Sequence, residues 1–72
     1  MRAVNEAVEL CEEIYEMIDD LPERAEEFGD SVKAKTLDIH KTIEDREVVT
    51  PMQMQALQNM RAGLEKWFPN GR

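Results

Sequence analysis

Eight acidic residues in the first half of this 72-residue chain, Glu6, Glu9, Glu13, Glu16, Asp20, Glu23, Glu27 and Asp30, step by 3, 4, 3, 4, 3, 4 and 3. On a helix that spacing lines up one face. A solvated helix face usually mixes signs, with oppositely charged side chains four residues apart. Here Arg24 is the only cation between residues 6 and 30. Like charges in a row repel one another and cost stability. They can also imitate the charge line of a nucleic-acid backbone, or meet a basic groove on a protein partner. The remaining chemistry-bearing residues are few. His40 is followed one helical turn later by Glu44, but a closed zinc site needs about four ligands. Cys11 stands among apolar neighbours and acids, which raise a thiol's pKa and make it a poor nucleophile. No catalytic, cofactor-binding or metal site follows from these residues, and the expectation is a protein that is not an enzyme.

The net charge of −7 conceals two unlike halves. Residues 6–30 hold eleven acids against one base, a net of −10; residues 31–72 hold five acids and seven bases, a net of +2; Arg2 completes the total. Direct binding to a phosphate backbone is opposed by this balance, although Gln53, Gln55, Gln58, Asn59 and Arg61 are residue types that read base edges. A chain of this size buries only about 60% of the surface it exposes when unfolded. With one cysteine it has no internal disulfide, so self-association or a larger partner is the natural source of added stability. One domain, 1–72, is expected. The lone thiol and the lack of a signal-like start point to the cytoplasm, and the lack of a long apolar run argues against a membrane.

Apolar residues at 4, 7, 8, 11, 14, 15, 18 and 21 have helical spacing. The fold expected is all-α, a small bundle of three helices at about 2–19, 22–46 and 51–67, the second and third forming an antiparallel hairpin. Asp20-Leu21-Pro22-Glu23 reads as a helix start, with Asp20 as cap and Glu23 reaching back. The rival is one long helix kinked at Pro22, because the seven-residue frame Val4, Cys11, Ile18, Ala25, Val32, Ile39 runs straight through it. The second helix should bury Ala25, Phe28, Val32, Ile39 and Ile43, with Thr36 between them. Gly29 in its interior costs about 1 kcal/mol relative to alanine, which a closely approaching helix would explain.

The third helix has the clearest beginning. Thr50 is an N-cap, Pro51 suits the first helical position, and Gln53 completes a capping box. Val49 before the cap and Met54 inside it form a hydrophobic staple. Pro69-Asn70-Gly71 stops the helix. Met52, off the main apolar stripe, is a candidate exposed anchor, and Trp67 and Phe68 either close the core or anchor a partner.

Two resemblances bear on function. Glu9-x-x-Glu12 and Glu27-x-x-Asp30 resemble the metal-binding pattern of the all-α nucleotide pyrophosphohydrolases, which implies carboxylates on two facing helices holding Mg²⁺ against a triphosphate. Phe28-Gly29-Asp30-Ser31-Val32, with Lys35, Ile39 and Ile43, then Val49-Thr50-Pro51-x-Gln53-x-x-Ala56-Leu57-x-Asn59-Met60, resembles a helical pair in small bacteriophage and bacterial proteins. That second resemblance, over residues 28–67, implies an accessory protein meeting nucleic-acid machinery. The favoured reading is an acidic helical interaction protein that occupies a basic nucleic-acid-binding surface on a partner, as a phage-type inhibitor or regulator would. An oligomeric scaffold and a Mg²⁺-dependent pyrophosphohydrolase are the alternatives.

Overall fold

The computed structural model describes residues 2–71, and among them there are three α-helices and no strand. Helix α1 spans Arg2–Asp19, α2 spans Glu26–Arg46 and α3 spans Pro51–Glu65, with a single 3₁₀ turn at Glu23–Ala25 before α2. The first helix packs against both others, whereas α2 and α3 touch each other less. The core is built from Ala7, Cys11, Ile14 and Met17 of α1, Val32 and Ile43 of α2, and Leu57 and Leu64 of α3. These recur at three- and four-residue steps, so each helix contributes one apolar stripe.

The corner between α1 and α2 settles the question raised by Pro22. Asp20 and Leu21 donate to Met17 and Ile18 at 3.2 and 3.1 Å, tightening the end of α1. Pro22 then adopts an extended conformation, φ −67° and ψ 157°, and its carbonyl accepts from Ala25 at 2.9 Å. Proline has no N–H and its ring obstructs the preceding turn, so the chain leaves the helix there. The kinked-helix alternative is excluded, because α2 folds back along α1 and brings Gly29 against Ile18 and Leu21. The cap position expected at Asp20 falls at Pro22 instead, which offers no side-chain hydrogen bond, and α2 proper begins at Glu26 rather than 22. Proline's fixed φ sets the stop.

The buried stripe of α2 follows the expected one at Ala25, Val32, Thr36 and Ile43, but Gly29 takes the place of Phe28. Gly29, Val32, Thr36 and Ile43 are buried in the helix, Ile39 is half-buried, and Phe28 is 37% exposed. Thr36 satisfies its hydroxyl by donating to the Val32 carbonyl at 2.8 Å and lies 3.7 Å from the Met60 sulfur of α3. A β-carbon on Gly29 would come within 2.9 Å of Leu21 Cδ1, so the end of α1 does approach closely there.

Helix α2 ends at Glu47, which is left-handed, φ 55° and ψ 30°, and donates its N–H to the Ile43 carbonyl at 2.7 Å. Glycine usually takes this position, because a side chain there costs roughly 1–2 kcal/mol. Helix α3 starts as its sequence requires. The Gln53 N–H donates to Thr50 Oγ1 at 3.0 Å, and the Thr50 N–H donates to Gln53 Oε1 at 2.9 Å. Val49 and Met54 both pack on the core. The helix ends at Glu65, two residues earlier than expected, where Trp67 and Phe68 close shorter turns onto Leu64 and Glu65. The paired residues fix direction: Thr36 meets Met60 and Phe28 meets Trp67, so α2 and α3 are antiparallel. Glu13 meets Arg61, so α1 and α3 run parallel.

Candidate interaction surface

Along α1 the buried residues Ala7, Cys11, Ile14 and Met17 occupy one side of the helix. Advancing 100° per residue, the opposite side falls at positions 5, 6, 9, 12, 13, 16, 19 and 20. Those positions hold Asn5 and seven acids: Glu6, Glu9, Glu12, Glu13, Glu16, Asp19 and Asp20. All are exposed except Glu13, which is half-buried at the edge facing α3. There Arg61 reaches across to Glu13 at 2.9 Å and also contacts Glu65 at 3.3 Å. Arg24, the one cation of the acidic half, lies over the Trp67 ring, 5.4 Å from its centroid. Its charge is thereby directed to the end of α3.

The eight-residue acidic line does not survive as one ridge. Glu6, Glu9, Glu13, Glu16 and Asp20 lie on or just beyond α1, while Glu23, Glu27 and Asp30 follow the corner onto the 3₁₀ turn and α2. The chain reverses between them, so the frame that aligned them is interrupted at Pro22. What replaces the ridge is the denser face of α1 alone, which adds Glu12 and Asp19. Glu9 and Glu12 are likewise separated from Glu27 and Asp30. The latter pair belongs to the stretch of α2 around Gly29, which meets Ile18 and Leu21, so the two pairs lie roughly 13 Å apart along the bundle. They do not converge on one position, and no group of three metal-ligating side chains is formed among the described residues.

A different contact, not expected from the sequence, crosses from α1 to α2. Tyr15 Oη lies 3.0 Å from His40 Nδ1, and His40 Nε2 lies 2.6 Å from Glu44 Oε1. When Nδ1 accepts the phenol proton, a neutral imidazole carries its own proton on Nε2, the nitrogen beside the carboxylate. Carboxylate, imidazole and hydroxyl in series are also the parts of a general-base relay. Here burial, then Cys11 and Glu44, push the Tyr15 pKa up, so the phenol is held neutral. The trio is a clamp between two helices. Helical spacing revealed Tyr15 only as part of the apolar face, and the register of the corner was needed to find its partner.

Cys11 is fully buried, and burial together with the Glu12 and Glu44 carboxylates pushes its thiol up to about 11 against a small opposing effect of its own backbone. It is a core residue. Trp67 and Phe68 are half-buried; Trp67 meets the Phe28 ring at 6.4 Å and Phe68 packs on the core, so both close one end of the bundle. Met52 is 82% exposed at the start of α3. No described helix is long and apolar enough to cross a membrane. Compared with protein-family models, curated proteins and solved structures, the chain matches none of them.

Proposed function

We propose that this protein is a non-enzymatic interaction module whose α1 face occupies a basic, nucleic-acid-binding surface of a protein partner, as a phage-type inhibitor or regulator would. One observation carries the reading. From Glu6 to Asp20 the six exposed acids, Glu13 being paired with Arg61, span roughly 21 Å of helix axis, one charge per about 4 Å. A single DNA strand presents one phosphate per about 3.4 Å. The face is rigidly backed, because α1 is the helix that packs against both others. Such a surface supplies steering and discrimination more than raw affinity. Its attraction is screened by salt within a Debye length of about 8 Å under physiological conditions.

The test reverses three exposed charges of α1, Glu9→Lys, Glu12→Lys and Glu16→Lys in one variant, leaving the Glu13–Arg61 pair in place. Circular dichroism should remain helical. A partner captured from native host extract and identified by mass spectrometry should be lost with the triple variant. Added duplex DNA should displace it from the unmodified protein. Capture that survives charge reversal, or that ignores competing DNA, rejects the proposal.

A further inference from the structure

The seam between α2 and α3 is open. It forms a groove of about 340 Å³, with Val32 and Met60 beneath and Phe28, Lys35, Asn59 and Gly63 along its sides. Lys35 is its only charged lining residue. Gly63 has no explanation within the chain. A glycine inside a helix costs about 1 kcal/mol relative to alanine, yet a β-carbon there would meet only Phe28 Cζ, at an ordinary 3.5 Å. Met52, Ala56, Asn59 and Gly63 step by 4, 3 and 4, so they share one edge of α3. That edge carries a protruding side chain, Met52, and a shallow site, Gly63, about 16 Å apart.

We infer that this edge and groove bind a second copy of the chain, with the two α3 helices antiparallel across a twofold axis. A twofold midway between Met52 and Gly63 sets Met52 of each copy over Gly63 of the other, and Ala56 over Asn59. Such an isologous contact needs a self-complementary patch, residue i on j and j on i. Knob and hole on the same edge provide one, and a glycine and an alanine let two helices approach. Electrostatics select the same face. Two chains of net charge −7 must meet where acids are scarce, and residues 51–64 contain none. Because α1 packs on both other helices, its acidic side lies away from the α2–α3 seam. The bundle measures 35 × 21 × 17 Å, and its broad face is comparable with the roughly 800 Å² that each partner contributes to a standard interface. This inference goes beyond the proposed function, since the α1 face stays outward in the dimer and either can fail alone.

Sedimentation equilibrium of the full chain tests it. At about 100 μM, above the micromolar end of the range for interfaces of this size, the expected mass is twice the 8.4 kDa of one chain. Met52→Glu and Gly63→Gln, both at positions where the monomer has room, should each weaken association at least tenfold with unchanged circular dichroism. Mixing Met52→Cys chains with Gly63→Cys chains should give a disulfide-linked heterodimer in preference to either homodimer, the buried Cys11 taking no part. A monomeric mass at every concentration overturns the inference. So does a dimer indifferent to both substitutions, a preference for the 52–52 link, or a groove that takes a foreign helix while the chain alone stays monomeric.

Discussion

Gly29 lies in the first turn of α2 and Gly63 in the last turn of α3, and their surroundings differ in a way that separates two seams of one small bundle. At Gly29 the α1–α2 seam is closed, with Leu21 and Ile18 occupying the space a side chain would need. At Gly63 the α2–α3 seam is open and only the Phe28 ring edge is near. The first glycine is explained by packing within the chain, the second by nothing in the chain. A residue type that is unfavourable for the local helix and unrewarded by the fold points outward, to what the surface meets.

The largest expected effect tests how closed the first seam is. Cys11 titrates from 9.0 in the unfolded chain to about 11 in the folded one. A raised pKa gives stability that is complete below pH 9 and is lost as pH rises from 9 through 11, about 2–3 kcal/mol in all. Urea midpoints at pH 8, 10 and 11 should fall accordingly. Cys11→Ala should flatten the part that begins at pH 9, leaving the later contribution of Tyr15, whose pKa is also raised. An unchanged profile would mean the seam admits water. Next in size, Gly29→Leu should cost about 1–3 kcal/mol by overpacking, while Gly63→Leu at low protein concentration should cost nothing, since leucine's helix propensity is close to alanine's. Equal losses would erase the distinction between the seams. Smallest, Gly63→Ala should raise stability by about 1 kcal/mol. Gly29→Ala should gain less, because its β-carbon must displace Leu21 Cδ1 from 2.9 Å. Paired thermal melts would resolve the two.

Legibility in the sequence followed the range of each interaction. The start of α3 could be read fully, since Thr50, Pro51 and Gln53 complete their hydrogen bonds within four residues. The reversal at Pro22 could be read as a stop, but not the 3₁₀ turn that follows or the place of the cap at Pro22. The α2 stripe was mistaken at Phe28 because its true neighbour in the core is Gly29, a residue with no hydrophobic signal to read. Glu47 in a left-handed cap is invisible for a similar reason, since glutamate does not announce that conformation. For the surface, helical spacing placed the acids of α1 on one side of that helix but joined two helices into one line. Only the corner shows that the α1 face ends at Asp20 and that Glu12 and Asp19 belong to it. The Tyr15–His40 contact, 25 residues apart, needed the tertiary register.

The parallel course of α1 and α3 sets an order of assembly. Bringing α2 onto α1 closes only the few residues of the corner, whereas bringing α3 beside α1 closes a loop of about 45 residues. By the (3/2)RT ln n scaling the second closure costs roughly 2 kcal/mol more. By that scaling an α1–α2 hairpin forms first, and α3 is then captured by a surface already made. Arg61, which reaches back to Glu13, is then the latch of that second closure.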